Sequence, residues 1–134
     1  LMDTYEGLSE KHLTAKEKLF GRTGGGYKPS YESVRETFKE FHNAIIIKGT
    51  IPETLTEVQS QKIAYLHIDM NCTLPEIAAA EYFWDRLVSG AVMLLDDYGH
   101  AGHEEQKYAF DDFAKRKGVG ILCLPTGQGL IIKP

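Results

Sequence analysis

The chain has 134 residues, of which 43% are hydrophobic and 25% charged, so it is long enough for one compact domain and too apolar for wholesale disorder. Its formal net charge is −4 and no block of like charge stands out, which argues against a nucleic-acid partner. Its apolar runs are too short to cross a bilayer, so we expect no membrane partner, and its two widely separated cysteines, Cys72 and Cys123, indicate a reduced, cytoplasmic setting.

The chain begins with a predicted strand and a loop. Residues 1–5 are apolar and compatible with a strand. Residues 6–30 are polar and contain the run Gly24-Gly25-Gly26, so we predict a flexible loop without regular structure there. A phosphate-binding glycine turn would need a flanking strand and helix, which this run lacks. A plain linker is the simpler interpretation.

A helix and a second strand are predicted next. From Ser30, which can cap a helix, apolar side chains recur at helical spacing on one face, formed by Tyr31, Val34, Phe38 and Phe41. The β-branched run at 43–48 ends at Gly49 and predicts a buried strand. Residues 52–60 predict a short helix or turn.

Two further strands flank a long predicted helix. Residues 63–69 are apolar until their polar end and predict a strand. Residues 73–89 predict a helix that stops at Gly90, with a buried stripe of Ile77, Ala80, Trp84, Leu87 and Val88. The continuous apolar run at 91–95 predicts the next strand.

The remaining residues complete an α/β pattern. Residues 104–117 predict an amphipathic helix with a basic last turn, burying Tyr108, Phe110, Phe113 and Ala114. Residues 119–124 and 129–133 predict a closing antiparallel hairpin. The alternation of strands and helices predicts a Rossmann-like, mostly parallel sheet with helices on both faces and this C-terminal hairpin.

Acidic residues follow three of the predicted strands, at Asp3, Asp69 and the pair Asp96-Asp97. Ligands of such sheets bind outside the carboxyl ends of the strands, and a right-handed crossover through helix 73–89 favours close placement of the strands that end in Asp69 and Asp96. Crowded carboxylates repel, so either one is protonated or a cation such as Mg²⁺ lies among them. Each acid taken alone could equally be a helix cap or a turn former.

Three histidines lie near these acids in the sequence. His67 shares a strand face with Asp69, and we interpret it as a hydrogen-bonded structural residue near the site. His100 and His103 have the spacing of a zinc-binding pair, but no other soft ligand accompanies them, so we favour loop or substrate-contact roles.

Four segments resemble the macrocin O-methyltransferase family of class I S-adenosylmethionine-dependent enzymes. They are LMDTYEGL at 1–8, IKGTIPETL at 47–55, IAYLHID at 63–69 and GAVMLLDDYG at 90–99. The segments keep the family's order over nearly the whole chain, and the last is the most specific. The resemblance implies that residues 1–134 are a single, partial methyltransferase-like domain that methylates a hydroxyl of a sugar or another small molecule.

The resemblance also implies roles for five residues. Asp69, Asp96 and Asp97 match the family's metal-binding acids, and Asp69 matches its general base. Asp3 matches the acid that binds the ribose hydroxyls of S-adenosylmethionine, and Gly49 falls in the loop at the cofactor site. A carboxylate beside Mg²⁺ or a similar divalent ion could remove the acceptor's proton for in-line methyl transfer.

The sequence departs from the family in two places. After Asp69 the family has a second acid and a Leu-Tyr pair, whereas this chain has MNCT at 70–73, so the acceptor class can differ from a macrolide sugar. The family's first strand and Gly-rich turn, which approach the methionine part of the cofactor, find no match in these residues. We therefore expect a fragment that binds the cofactor weakly or not at all alone, and whose exposed sheet edges favour a homo-oligomer.

Two other functions are compatible with the residues. An apolar strand followed by Asp69-x-Asn71-x-Thr73, and a later apolar strand that ends in Asp96-Asp97, resemble the motifs of haloacid-dehalogenase-like, Mg²⁺-dependent phosphatases. No well-placed lysine lies between these two motifs, which argues against this function. A degenerate, non-catalytic domain that serves in assembly would also lack the Gly-rich turn while keeping the fold.

Overall fold

The computed structural model describes residues 1–134, with side chains described for all of them except Gly26. The helices are α1 (Ala15–Leu19), α2 (Tyr31–Phe38), α3 (Thr73–Trp84) and α4 (Glu104–Lys117). The strands are β1 (Met2–Asp3), β2 (Gly7–Leu8), β3 (Gly25–Gly26), β4 (Ile47–Lys48), β5 (Ile63–Ile68), β6 (Leu87–Leu95), β7 (Leu122–Cys123) and β8 (Gly129–Ile132). Single 3-10 turns lie at Glu10–His12 and Leu55–Glu57.

The main sheet has the strand order β5-β6-β8-β7. β5 and β6 run parallel and are connected through α3, whereas β8 pairs antiparallel with both β6 and β7. β1 and β4 form a separate parallel pair, and β2 and β3 form a separate antiparallel pair. The α/β class, with parallel strands and an antiparallel C-terminal part, is therefore confirmed. Among the described residues, no helix combines the length and the apolar character that crossing a membrane requires.

The boundary between α3 and β6 differs from the prediction. α3 ends at Trp84, and β6 already begins at Leu87, which pairs with Ile63 of β5. Gly90, expected to stop the helix, lies inside β6 with a φ of 81° and donates its N–H to the carbonyl of Lys133 at 2.9 Å. The prediction of a helix through residue 89 was wrong because pairing with β5 and with the end of β8 outweighs local helical spacing there.

Residues 6–30, predicted as a flexible loop, contain α1 and the β2–β3 pair. The hydroxyl of Thr14 accepts the N–H of Glu17 at 3.1 Å, and the Glu17 carboxylate accepts the N–H of Thr14 at 2.8 Å. This reciprocal capping box explains how so short a helix begins. Gly25, expected to lie outside regular structure, pairs with Leu8. The mobility of the segment stays a prediction.

The core lies between the main sheet and helices α3 and α4. Its most buried apolar side chains are Ile68, Phe83, Trp84, Met93, Leu95, Phe110, Phe113 and Ile131. The rings of Trp84 and Phe113 meet edge to face with their centroids 5.3 Å apart, which ties α3 to α4. Tyr108 is 64% exposed, so its predicted burial on α4 was wrong. This packing holds the ends of β5 and β6 in place relative to both helices.

Candidate metal centre and adjoining cavity

The ends of β5 and β6 bring Asp69 and Asp96 to one edge of the main sheet. Ile68 pairs with Leu95, and the N–H of Asp96 donates to the carbonyl of Ile68 at 3.0 Å. Because these parallel strands end at the same level, the residues that follow them leave the sheet side by side. The edge where the sequence predicts crowded carboxylates therefore holds at least these two.

Three side chains at this edge form a group that could hold a divalent cation. His67, Asp69 and Asp96 each offer one ligand atom, and these atoms all lie within 4.8 Å of one another. Nε2 of His67 lies 3.5 Å from Oδ1 of Asp96, and the two side chains are 41% and 30% exposed, so solvent reaches them. One imidazole and two carboxylates are donors that divalent metals accept. The donor set therefore fits a cation, and we name these three residues the cation group.

Asp97 lies beside the cation group but faces other partners. Its carboxylate is 3.6 Å from Nδ1 of His100, 3.4 Å from Nδ1 of His103 and 3.5 Å from Nε2 of Gln106. The residue is buried, whereas Asp69 is exposed. Asp97 thus points toward the loop after β6 and the first turn of α4. The two histidines that the sequence assigned to loop roles contact this carboxylate.

The environment raises the pKa of the Asp69 carboxyl above its ordinary value. The largest cause is partial loss of hydration, and the negative charges of Asp96 and Asp97 add to it. A carboxylate with a raised pKa holds a proton more readily and is a stronger base. Asp69 therefore combines a raised pKa with a position beside Asp96 at the end of β5.

Glu76 lies buried behind the loop that carries Asp69. One of its carboxyl oxygens accepts the N–H of Met70 at 3.1 Å and the side-chain amide of Gln106 at 2.8 Å. Burial raises the pKa of Glu76 to about 7, although these two hydrogen bonds act in the opposite direction. Because the first of them holds Met70, the backbone next to Asp69 is fixed by a group in the interior.

Arg22 connects residues 6–30 to both loops of this edge. Its guanidinium donates to the carbonyl of Asn71 at 2.5 Å, to the side-chain oxygen of Gln106 at 2.8 Å and to the carbonyl of Gly102 at 2.9 Å. It also lies 3.5 Å from the buried carboxylate of Glu17, which accepts hydrogen bonds from the backbone and the hydroxyl of Thr73. These contacts bring the segment predicted as a loop into the support of the site.

Two side-chain amides hold the carboxylates of the cation group. Gln128, in the turn between β7 and β8, donates to Oδ1 of Asp96 at 2.8 Å. Asn71 donates to Oδ1 of Asp69 at 3.3 Å and has a positive φ of 55°, which lets its side chain turn back. Hydrogen bonds of this kind orient carboxylates that bind metals.

A cavity of about 450 Å³ adjoins the cation group. Asp3, Gly49 and Asp69 all line it, so Asp69 belongs to both the cavity lining and the cation group. The N–H of Gly49 donates to the carbonyl of Asp3 at 3.0 Å, which continues the pairing of β1 with β4. A Cβ atom on Gly49 would lie 2.4 Å from Cγ2 of Thr54, so a larger residue would require a shift here.

Several residues of the site were not predicted as part of it. His67 was assigned a structural role, although its position two residues before Asp69 on one strand face was a signal that it could join the acids. No local sequence pattern indicates that Arg22, Gln106 and Gln128 belong to the site, because each reaches it from a distant part of the chain. Glu76 lies inside a helix whose start was predicted, but its burial depends on the packing of α4.

The sequence profile of the macrocin O-methyltransferase family (TylF) matches residues 1–121. No functionally curated protein matches the chain in sequence.

Solved O-methyltransferase structures share the fold. The O-methyltransferase NovP superimposes with a TM-score of 0.78 at 14% sequence identity, covering 98% of this chain and 58% of NovP. The calicheamicin methyltransferase CalS11 superimposes with a TM-score of 0.74 at 15% identity, with the same two coverages. An apo structure of CalS11, described as a TDP-rhamnose 3'-O-methyltransferase, gives a TM-score of 0.62 at 16% identity over 98% of this chain and 56% of the other. The chain therefore spans little more than half the length of these structures.

Proposed function

The chain belongs to the macrocin O-methyltransferase family, and on that basis we propose that it acts in S-adenosylmethionine-dependent, divalent-metal-assisted methylation of a hydroxyl on a sugar or another small molecule. The observation that carries this proposal is the shared position of Asp69. It lines the cavity together with Asp3 and Gly49, and it belongs to the cation group with Asp96. One carboxylate thus adjoins both the place for the methyl donor and the place for the metal.

The cavity supplies the methyl-donor side of the proposal. Asp3 is proposed to accept hydrogen bonds from the ribose hydroxyls of S-adenosylmethionine, because its carboxylate stands at the end of β1 on the cavity wall. Its Oδ1 already accepts the N–H of Tyr5 at 2.5 Å, which fixes the carboxylate's orientation. Gly49 is proposed to contribute to the cofactor site, because it lines the cavity directly after β4 and its N–H donates to the carbonyl of Asp3.

Asp69, Asp96 and Asp97 supply the chemistry of the acceptor side. When bound, S-adenosylmethionine provides the methyl group, and Mg²⁺ or a similar divalent cation lowers the pKa of the acceptor hydroxyl. Asp69 takes the hydroxyl proton, because it adjoins both the cavity and the cation group. Asp96 holds the cation together with Asp69. The negative charge of the neighbouring Asp97 strengthens the attraction for the cation. Asp97 would become a ligand itself if its side chain turned away from His103.

We further propose that residues 1–134 alone bind S-adenosylmethionine weakly. The cavity is lined by β1 and by the loop that follows β5. These two strands belong to different sheets and share no backbone pairing in the described chain. The cavity wall between them is therefore less firmly built than a continuous sheet would be. Unpaired edges of β1 and β5 also favour self-association into a homo-oligomer.

The family match favours methyl transfer over the phosphatase considered from the sequence, and an assay separates it from a non-catalytic domain. Transfer of radiolabelled methyl groups to a panel of sugar and other small-molecule hydroxyl acceptors is measured with Mg²⁺. We expect slow transfer that Asp69→Asn abolishes and that Asp112→Asn, an exposed acid on α4, leaves unchanged. Equal transfer by Asp69→Asn would contradict the proposed base.

Binding measured by calorimetry completes the test. The expected dissociation constant for S-adenosylmethionine is near 1 mM, which corresponds to about −4 kcal/mol, and Asp3→Ala should weaken it further. Tight stoichiometric binding would contradict the proposed weakness of this chain alone. An absence of both binding and transfer would support the non-catalytic domain instead.

A further inference from the structure

His67 is the last residue but one of β5, and Asp69 directly follows the end of this strand at Ile68. The ligand atoms of the two side chains lie close together at this end of the strand. Asp96 arrives there from the end of the neighbouring strand β6, with its Oδ1 at 3.5 Å from Nε2 of His67. The three ligand atoms lie within 4.8 Å of one another, so an ion among them would be close to all three.

The spacing fits direct coordination by the imidazole. Metal–nitrogen and metal–oxygen bonds of about 2.1 Å place neighbouring ligand atoms roughly 3 to 3.5 Å apart. The observed 3.5 Å between Nε2 of His67 and Oδ1 of Asp96 is close to that range. Both atoms also belong to side chains that solvent reaches, so an ion can enter without unfolding the edge.

The two carboxylates of the cation group are held by neutral amides. Gln128 donates to Asp96 at 2.8 Å, and Asn71 donates to Asp69 at 3.3 Å. Two carboxylates balance the charge of a divalent ion, and the two amides orient these carboxylates without adding charge of their own. A neutral imidazole adds a third ligand without adding charge.

We propose that His67 is a direct ligand of the cation, and that this site consequently prefers an imidazole-binding transition metal such as Zn²⁺ or Co²⁺ to Mg²⁺. The inference rests on the metal-assisted function proposed above and specifies which ion the site takes. Imidazole nitrogen is a good ligand for zinc and related metals, whereas Mg²⁺ takes oxygen ligands and retains its water. Exchanging an oxygen donor for the His67 nitrogen therefore moves the preference toward the transition metals.

Calorimetric titration of the metal-free protein with Zn²⁺, Co²⁺ and Mg²⁺ tests the proposal. Transition metals bind most protein sites more tightly than Mg²⁺, so the decisive measurement is the dependence on His67. We expect His67→Ala to weaken Zn²⁺ and Co²⁺ by at least about 10-fold, since loss of even an outer partner costs about 10- to 100-fold. The affinity for Mg²⁺ should change little. His42→Ala, which removes an exposed histidine beyond α2, is the matched control.

A spectroscopic readout identifies the ligand atom independently of activity. The ¹⁵N resonances of the His67 ring should shift on Zn²⁺ addition in the folded protein, with the larger change at Nε2. Unchanged Zn²⁺ affinity in His67→Ala would overturn the proposal. So would a loss of Zn²⁺ binding in His103→Ala alone, because the ion would then sit against Asp97, His100 and His103.

The same titrations separate this inference from the proposed function. If Asp69→Asn and Asp96→Asn weaken every metal while His67→Ala weakens none, the cation site stands and only the role of His67 is wrong. If neither aspartate variant affects any metal, the metal-assisted function fails together with the inference. Circular dichroism should show native spectra for Asp69→Asn, Asp96→Asn and His67→Ala, because solvent reaches these three side chains at the edge of the sheet.

Discussion

The guanidinium of Arg22 donates a hydrogen bond of 2.5 Å to the backbone carbonyl of Asn71. Arg22 follows α1, whereas Asn71 lies in the loop directly after Asp69, so one side chain joins the segment 6–30 to the candidate site. The same guanidinium bonds Gln106 at the start of α4. The position of the loop after β5 thus depends on a segment that lies more than 40 residues earlier in the chain.

Arg22→Ala is expected to lower the free energy of unfolding by about 3 kcal/mol, because it leaves the buried Glu17 carboxylate without its cation. Urea denaturation followed by circular dichroism measures the change. The control is Arg35→Ala, since Arg35 pairs with Glu32 on an exposed helix face at 3.3 Å. Such a surface pair contributes less than about 1 kcal/mol. Equal losses in the two variants would show that the Arg22 contacts do not stabilise the fold.

Gly49→Ala is expected to destabilise the protein by about 1 to 3 kcal/mol through overpacking. The new Cβ atom would lie 2.4 Å from Cγ2 of Thr54. Thr54→Ser removes that methyl group and keeps the hydroxyl that donates to the carbonyl of Thr50 at 3.0 Å. The double variant should therefore regain the part of the loss that this contact causes, while the positive φ of 155° at position 49 keeps the rest. Gly120→Ala is the control, because a Cβ there meets no described atom within 4 Å. Thermal unfolding is measured for the native protein, for Gly49→Ala, Thr54→Ser and the double variant, and for Gly120→Ala. An equal loss in Gly49→Ala and in the double variant would show that the contact with Thr54 is not a cause.

Glu76 predicts a particular pH dependence of stability. Its pKa is about 7 in the folded protein against an ordinary value of 4.5. Between these two pH values the folded state holds the proton that the unfolded chain has released. The free energy of unfolding contributed by this group therefore falls as the pH rises from about 4.5 to 7 and stays constant above that.

Glu76→Gln should remove this dependence while keeping an oxygen for Met70 and Gln106. At pH 8 the variant should be more stable than the native protein by about 2 to 3 kcal/mol, and near pH 5 the difference should be small. Urea denaturation between pH 5 and 8 in the presence of a chelator measures it. Glu40→Gln, at an exposed position, should show no such trend. A difference that does not change with pH would mean that Glu76 titrates normally.

Gln128→Ala should weaken metal binding without unfolding the protein. The amide of Gln128 donates to Asp96 at 2.8 Å, and loss of an outer partner of this kind costs about 10- to 100-fold in metal affinity. Calorimetric titration with Mg²⁺ and Zn²⁺ provides the measurement. Gln61→Ala is the control, because the Gln61 amide bonds only a nearby carbonyl on the exposed loop before β5. Native metal affinity in Gln128→Ala would show that Asp96 needs no such support.

The parts of the fold that follow local patterns were predicted well. The strand at 63–68, the C-terminal hairpin and the start of α3 near Thr73 agree with the periodicity of the sequence. Thr73 does not cap this helix, because Cys72 occupies the N-cap and the Thr73 hydroxyl donates to Glu17. The positions of the acids directly after strands also predicted that Asp69 and Asp96 lie together at one edge of the sheet. These features depend on neighbouring residues, so they can be recognised without knowing the fold.

The errors arose where distant residues decide the outcome. Residues 87–90 have helical spacing with the residues before them, but they pair with β5 and with the end of β8. Tyr108 has the spacing of a buried residue on α4, yet the neighbouring elements do not cover it. Local periodicity indicates which secondary structures a segment can form. It does not indicate whether a distant strand pairs with that segment.

The sequence by itself determined the α/β class, the family and the acids at the strand ends, because each depends on short motifs and on their order along the chain. Only the tertiary structure decided that His67 joins Asp69 and Asp96, that Asp97 faces His100 and His103, and that Arg22 and Gln128 support the site. The physical reason is distance along the chain. A hydrogen bond between groups tens of residues apart forms only after packing has brought their elements together, and no local pattern specifies that packing.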